Sequence, residues 1–459
     1  MLRFDMNRRQ FLETSAASAA FGFFQRPADR PNILFILTDQ QTAGAMSCLG
    51  NRDVRTPAMD RIASEGVVFE RAYCGNPLCV PSRAVLMTGR MPHENGITIN
   101  MEPPERPFPF PMLGRVMTEA GYDCGYVGKW HLPVKPSQVD VHGFTTLQHA
   151  RANRLDQDVP DASIEFLSRR RDRPFLLVSS FVNPHDICEW ARGDELKNGA
   201  LPSPPAPASC PDLPHNFEIP ADEPEVLREI QKRDAGAYPT VGWSADRWRQ
   251  YRWAYYRLIE MVDGHIANIL DALRRTGQEE RTVIIFSSDH GDGTGAHRWN
   301  QKQILYEEVV RVPFIVSWEG VTEAARVDRK TLVSAGLDLM PTICDYGGVT
   351  PPAKLSGRSL RPCADGRALN PSRELVVVET EFCGFGKSHG LEGRMLRTDR
   401  YKYIVYSKGQ IREQFFDLQA DPGETRSLVA SRAHTQELER HRRLLKGWCQ
   451  ETGDGFGAS

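Results

Sequence analysis

The stretch NILFILTDQ, residues 32–40, carries five apolar side chains in a row and then Thr38, Asp39 and Gln40. The run is too short for a helix and does not alternate. It reads as a strand buried on both faces, the kind found inside a parallel sheet. PFLLVSSFV (174–182), RTVIIFSSD (281–289) and VPFIVSW (312–318) have the same form. Helical patterns lie between them. TPAMDRIASEG (56–66) opens on a threonine before a proline at the first helical position and closes on Gly66. Residues 245–275 read as one long helix with Tyr255, Ile259, Val262, Ile266, Ile269 and Leu273 on a single face. Alternating strand and helix predicts an α/β fold, a mainly parallel sheet sandwiched by helices.

Beyond LSGRSLRP (355–362) the texture changes. ELVVVETE, GRMLRTDRYKYIVYS and QFFDLQADPGE alternate and carry turn residues, and a helix is expected at about 434–449. These predict a smaller C-terminal antiparallel sheet with one covering helix. The expected division is 1–28, 29–365 for the large α/β domain, and 366–459 for the small one. A proline-rich stretch at 199–224 can be neither helix nor central strand, and so is a lid or a surface excursion.

The chain has 459 residues, ample for a large core, and its 57 basic against 59 acidic side chains give a net charge of −2. That balance offers no general case for nucleic acid or an anionic membrane as partner. MNRRQFLETSAASAAFGFF (6–24) places Arg8 and Arg9 before a mildly apolar run, as in a twin-arginine export signal. The run is too short and polar to span a bilayer stably, so export, to a periplasm, is expected without membrane insertion. The ten cysteines show neither paired CxxC zinc spacing nor a small-domain disulfide framework.

Two apolar strands end in polar pairs, Asp39-Gln40 and Asp289-His290. Ligands gather at the carboxyl ends of parallel strands. Two carboxylates, an amide oxygen and an imidazole make four ligands for a divalent cation. The oxygen-rich set favours Ca²⁺, with Mg²⁺, Mn²⁺ or Zn²⁺ behind it. Lys129 and His131 in VGKWHLP, His185 in FVNPHDI, and Lys302 in WNQKQILYEE each lie just past a predicted strand or loop of this set. Together they would form a basic cup for an oxyanion. Glu307 and Glu308 read as helix or salt-bridge residues, and Trp248, Tyr251 and Tyr255 as core. Trp190 is a candidate for stacking on a substrate, and His93 for reaching the pocket.

CVPSRAVLMTGR (79–90) places a thiol beside Arg83 at what looks like a helix N-terminus, where anions bind and a thiolate is stabilised. A thiolate nucleophile with His131 or His185 as base is one reading. The segment also resembles the sulfatase signature, through Cys79, Pro81, Ser82, Arg83, Thr88, Gly89 and Arg90. TDQ, GKWH, NPHD, SDHGD and the closing FFDLQADPGET follow in the order of that family. The resemblance implies an alkaline-phosphatase-like fold and formylglycine at Cys79, made by a separate modifying enzyme. It implies release of sulfate from a sulfated substrate, with a sulfated carbohydrate expected.

The same resemblance gives Asp39, Gln40, Cys79, Asp289 and His290 to the metal, Cys79 through its hydrated formylglycine. Asp289 would also take the proton of the attacking hydroxyl. Lys129, Lys302 and Arg83 would hold the sulfate or the diol, His185 would protonate the leaving alcohol, and His131 would act as base in the second step. Gln40 departs from the commoner Asp-Asp pair. With Asp289-His290 it also resembles relatives that hydrolyse phosphonate monoesters and phosphodiesters, which is the alternative reading. A non-catalytic glycan-binding relative is the third.

Overall fold

The computed structural model describes residues 30–101, 108–148, 155–369, 372–384 and 386–458. The expected export signal at 1–28 lies outside them. In chain order the strands are β1 (Asn32–Asp39), β2 (Gly66–Phe69), β3 (Ala72–Tyr73), β4 (Asp123–Gly128), β5 (Thr146–Gln148), β6 (Phe175–Pro184) and β7 (Thr282–Ser288). There follow β8 (Phe314–Ser317), β9 (Arg326–Asp328), β10 (Val333–Ser334), β11 (Val376–Gly384), β12 (Lys387–Arg397), β13 (Tyr401–Tyr406) and β14 (Glu413–Asp417). Helices of eight residues or more are α1 (Pro57–Ser64), α2 (Cys79–Thr88), α3 (Leu155–Leu167), α4 (Glu225–Arg233), α5 (Ala245–Arg275), α6 (Ala335–Tyr346) and α7 (Thr435–Thr452).

The large sheet runs β5-β4-β6-β1-β7-β8-β2-β9. From β5 to β7 every pairing is parallel. β1 shows why its sequence does not alternate. Ile33, Phe35 and Leu37 enter one core cluster, Leu34 and Ile36 another on the opposite face, and all five are inaccessible to solvent. Apolar side chains are needed on both faces because helices cover both. β8 makes the set mainly rather than wholly parallel, since it pairs antiparallel with β7 and with β2. A parallel strand needs a crossover that carries the chain back to the starting edge. Between β7 and β8 there are only irregular chain and two short helical turns, Ala296–Arg298 and Glu307–Val310, so β8 starts where β7 ends.

α1 begins at Pro57 as expected, but Thr56 does not cap it. Its hydroxyl bonds Asp60 and pairs with Ser47, while the Asp263 carboxylate of α5 accepts from Ala58 and Met59 N–H at 3.0 and 2.9 Å. Gly66 opens β2 rather than closing the helix. α5 has the bounds read from sequence, and its six predicted face residues are buried. The 199–224 stretch lies along that helix. Arg249 and Gln250 donate to Cys210 O and Pro205 O, and Phe217 packs edge-on to Trp248.

The small sheet is antiparallel, in the order β11-β12-β13-β14, with α7 packed through Leu438, Leu445 and Cys449 against Val377, Leu396, Tyr403 and Phe415. All ten cysteines are free thiols. Among the described residues no helix is long and apolar enough to cross a membrane.

Candidate active site

Register brings the polar strand ends together. Thr38 of β1 pairs with Ser288 of β7, so Asp39 and Asp289 leave adjacent strands side by side. Asp39 is also level with Pro184 of β6, one residue before His185. Gly128 at the end of β4 pairs with Ser180 and precedes Lys129. It has φ +91°, and a Cβ there would sit 1.9 Å from Ser180 O, so glycine alone lets Lys129 start where it does. Gln40 (φ 71°) and His131 (φ 44°) also hold left-handed backbone, which costs free energy in non-glycine residues and concentrates at functional sites.

α2 supplies the rest. Cys79 is its first residue, and Arg83 lies one turn on. The helix ends at Gly89 (φ +64°), whose N–H closes onto Val85 O. Cys79 Sγ lies 3.0 Å from Lys302 Nζ, 3.3 Å from His290 Nε2 and 3.7 Å from Asp39 Oδ1. In a formylglycine enzyme this sulfur stands in for an oxygen on Cβ of the modified residue. Burial and Asp39 oppose ionisation of the thiol, but Lys302, Lys129 and His290 outweigh them and hold its pKa well below the ordinary value. The modified side chain would inherit the same positive surroundings.

Arg83 is fully buried, with all its described contacts inside the protein. Nε donates to Asp289 Oδ2 at 2.8 Å and Nη2 to Asp39 Oδ2 at 3.2 Å. Nη1 reaches Ser180 Oγ and Lys129 O at 2.9 and 3.1 Å. The sequence reading had Arg83 holding sulfate or diol; the structure places its guanidinium across the two carboxylates, with Ser180 Oγ and Lys129 O as further partners. Lys129 Nζ reaches the same oxygen, Asp39 Oδ2, at 2.6 Å. Burial raises the pKa of Asp39, yet Lys129, His185, Arg83 and Lys302 bring it well below the usual range. For Asp289, burial and the neighbouring Asp39 charge win, and its pKa is raised.

Donor atoms of Asp39, Cys79, Asp289 and His290 all lie within 4.8 Å of one another, and all four residues are buried. His290 Nε2 is 3.9 Å from Asp39 Oδ1 and 3.7 Å from Asp289 Oδ1. Its Nδ1 bonds Gly291 O at 2.9 Å, which directs Nε2 at the group. Two carboxylate oxygens, an imidazole nitrogen and the atom at the end of the Cys79 side chain make a donor set that fits a divalent cation. Gln40 joins the group by its backbone, donating to Asp289 Oδ1 at 3.1 Å. Its side-chain amide is engaged behind, Nε2 donating to Asp292 Oδ2 at 2.8 Å and to Cys188 Sγ at 3.2 Å.

His185 and His131 stand on the open side. His185 Nδ1 is 3.8 Å from Glu189 Oε2. Burial, Lys302 and Lys129 lower its pKa, but Cys79 and Glu189 prevail and raise it. His131 is exposed at the mouth. Loss of hydration on its protein side, with Lys129 and Arg83 close by, lowers its pKa although Cys79 opposes this. Lys302 is only 7% exposed, on a loop in which Gln301 and Gln303 have positive φ. Gln303 is tied to Pro77 O, Tyr238 and Cys383, and Thr380 of β11 donates to Gln303 O at 2.7 Å. The small sheet thus braces the lysine.

Asp292 was missed in the sequence. Fully buried, it accepts from Tyr251 OH at 2.9 Å, Gln40 Nε2 at 2.8 Å, Thr294 N at 2.7 Å and Gln301 N at 3.1 Å. It ties the Gln40 amide to the loop of Lys302. Its one signal is its place in SDHGD. Tyr255 likewise does more than fill core, donating to Gln40 O at 2.7 Å. Trp190 packs on Trp243 and Tyr251, with Arg247 4.2 Å above its ring. His93 pairs with Glu379 at 2.6 Å. Glu307 lies in a short helix and pairs with Lys402 at 3.1 Å.

The sulfatase family model matches residues 31–349, and the model for the N-sulphoglucosamine sulphohydrolase C-terminal region matches 295–448. A Δ4,5-hexuronate-2-O-sulfatase of Bacteroides thetaiotaomicron is 31% identical over 453 residues, 95% of this chain and 92% of its own. The solved structure of a 2-O GAG sulfatase superposes with a TM-score of 0.83 at 29% identity, covering 94% of each chain. A phosphonate monoester hydrolase of Agrobacterium radiobacter shares the fold, with a TM-score of 0.75 at 22% identity and 92% and 96% coverage. The chain belongs to the sulfatase family and is a sulfuric ester hydrolase of alkaline-phosphatase-like fold.

Proposed function

We propose that the enzyme releases inorganic sulfate from a sulfated carbohydrate, using formylglycine made from Cys79 and one divalent cation, Ca²⁺. The observation that carries this is the position of Cys79. It opens a helix with its sulfur 3.0 Å from Lys302 Nζ and 3.3 Å from His290 Nε2, where nucleophile, cation and sulfate-holding charge coincide. The relative acting on hexuronate 2-O-sulfate supports a sulfated sugar as substrate class.

Asp39, Asp289, His290 and the modified Cys79 would hold the cation, and the Gln40 amide oxygen, which here accepts from Cys188 Sγ at 3.6 Å, would add a fifth donor only by turning toward it. When bound, the cation neutralises charge on the sulfate oxygens. Lys302 and Lys129 face the same oxygens. Arg83 fixes the two carboxylates in place and keeps them apart. His185, on the open side, gives its proton to the leaving sugar oxygen, and Glu189 orients its ring. His131 takes a proton at the mouth when sulfate departs. The partner implied upstream is an enzyme that reads the Cys79-x-Pro81-x-Arg83 segment. The 1–28 signal would deliver the folded protein to the periplasm.

Gln40 favours the second reading, phosphonate or phosphodiester hydrolysis, because it removes a negative charge from the cation site. One comparison separates the two. Protein co-produced with the modifying enzyme is checked by mass spectrometry for oxygen in place of sulfur, and two fewer hydrogens, at Cys79. It is then assayed on defined sulfated disaccharides and on matched aryl sulfate and aryl phosphonate esters. Sulfate release that exceeds phosphonate cleavage, and that is lost on exhaustive chelation, is expected. Full activity with unmodified Cys79, or unchanged activity after chelation, would overturn the reading.

A further inference from the structure

The pole of the large sheet opposite Cys79 carries a second concentration of positive charge. β6 is ten residues long, so its two ends are about 30 Å apart at ~3.3 Å per residue. At the far end, between residues 167–175 and the turn 276–281, lies an open cleft of about 750 Å³. Its charged lining is Arg169, Arg170, Arg171, Arg173 and Arg281 against Asp172 alone. The chain as a whole is slightly acidic, so this is a local concentration.

The arginine segment is held in shape from beneath. Phe166, near the end of α3, lies under the Arg171 guanidinium at 4.1 Å and the Arg169 guanidinium at 5.5 Å. Arg171 pairs with Asp123 at 2.6 Å and donates to Arg169 O at 2.9 Å. Arg169 pairs with Glu165 at 3.0 Å and donates to Thr146 Oγ1 at 2.9 Å. These contacts engage Glu165, Asp123 and two of the cations, and leave Asp172 as the one acid of the lining outside them. Arg170 and Arg173 remain exposed, with no hydrogen bond, ion pair or ring contact among the described residues. Two free guanidinium groups are thus presented from an anchored loop, where little ordering entropy is left to lose on binding.

We propose that this cleft is a second binding site for a sulfated glycan chain, distinct from the catalytic centre, which holds the polymer to the enzyme. The inference rests on the sulfated-carbohydrate reading above. A guanidinium matches a sulfate with two parallel hydrogen bonds, as it does other tetrahedral oxyanions. The cleft volume suits a short run of sugars and is too small to admit a nucleic-acid duplex. A bilayer site would pair its cations with apolar anchors. None of the exposed large apolar side chains among the described residues lines this cleft.

The test uses the full chain carrying Cys79→Ala, which binds without turnover, and a fully sulfated octasaccharide followed by calorimetry. Two binding events are expected. Adding Arg170→Ala and Arg173→Ala should weaken one of them about tenfold, or about 1.4 kcal/mol. With Cys79 native and modified, the same two substitutions should leave kcat/KM on a sulfated disaccharide unchanged and slow sulfate release from dilute polymer. An octasaccharide isotherm indifferent to both substitutions would overturn the proposal. So would a duplex DNA, or vesicles rich in phosphatidylserine, that bind as tightly as the octasaccharide and lose that binding on the same substitutions. If no sulfated disaccharide is turned over, the proposed substrate class fails, while the octasaccharide isotherm still judges the cleft.

Discussion

His185 and Lys302 both face the Cys79 end of the sheet, yet their expected effects differ in kind. An acid matters most when the leaving oxygen is basic. A sugar alkoxide needs a proton, and nitrophenolate hardly does. His185→Ala should therefore depress hydrolysis of a sugar sulfate by about 10²–10⁴-fold and of nitrophenyl sulfate far less. Lys302→Ala should slow both by similar factors, because the charge it neutralises is on the sulfate. Comparing kcat/KM on the two substrates decides it, and equal losses for His185→Ala would reduce that residue to a binding role. Residues such as these were legible because each directly follows an apolar strand or sits in a recognisable motif. Asp292, Tyr251 and Cys188 were not. Asp292 and Cys188 bond the Gln40 side chain across 252 and 148 positions, Tyr251 reaches it only through Asp292, and no local pattern announces links of that separation.

At the scale of elements, the junction of α2 with β1 and β7 depends on one side chain. Arg83 lies between the carboxylates that end the two strands, a helical turn from the nucleophile position. Burial works against its charge, and Asp289, Tyr126 and Asp39 more than offset it, so its pKa is raised. Arg83→Met would leave Asp39 and Asp289 buried with less positive charge between them. Breaking a buried pair in this way costs about 3–5 kcal/mol, measurable by denaturant unfolding of metal-free protein. Arg83→Lys should recover only part, since a point charge cannot engage both carboxylates in fixed geometry. Ca²⁺ should recover stability in Arg83→Met, because a ligand that binds only the folded state stabilises it. A loss below about 1 kcal/mol would mean the carboxylates tolerate one another without the guanidinium. Elements were legible in sequence where periodicity alone decides them, as in α5. The direction of β8 was not legible, because its two-sided burial is the same either way. The sign of its pairing is set by the missing crossover helix, which is a property of the connection rather than the strand.

Across the whole molecule, the large and small sheets are joined at several charged contacts, and one is set to respond to pH. His93 lies in the short helix Pro92–Asn95 just past the signature. Its Nδ1 is 2.6 Å from Glu379 Oε1 of β11, and its Nε2 is 3.3 Å from Thr452 O at the end of α7. Its ring lies edge-on to Trp448, 5.4 Å between centroids. Asp454 is held nearby by Arg394, which also approaches Glu379 at 3.8 Å. Burial lowers the pKa of His93, but Glu379, Asp454 and Glu94 outweigh it, and the net shift is upward. A histidine whose folded pKa exceeds its unfolded value binds its proton more tightly when folded. Its contribution is complete below the unfolded value of about 6.5 and fades as pH rises through the folded one. His93→Gln keeps a hydrogen-bonding side chain and removes the titration. It should cost about 1–2 kcal/mol at pH 5.5, as for a charge-assisted hydrogen bond, and less at pH 9. Urea unfolding of both proteins across that range measures the difference. A loss that is the same at both ends would show that His93 joins the sheets by packing on Trp448 and not by its charge.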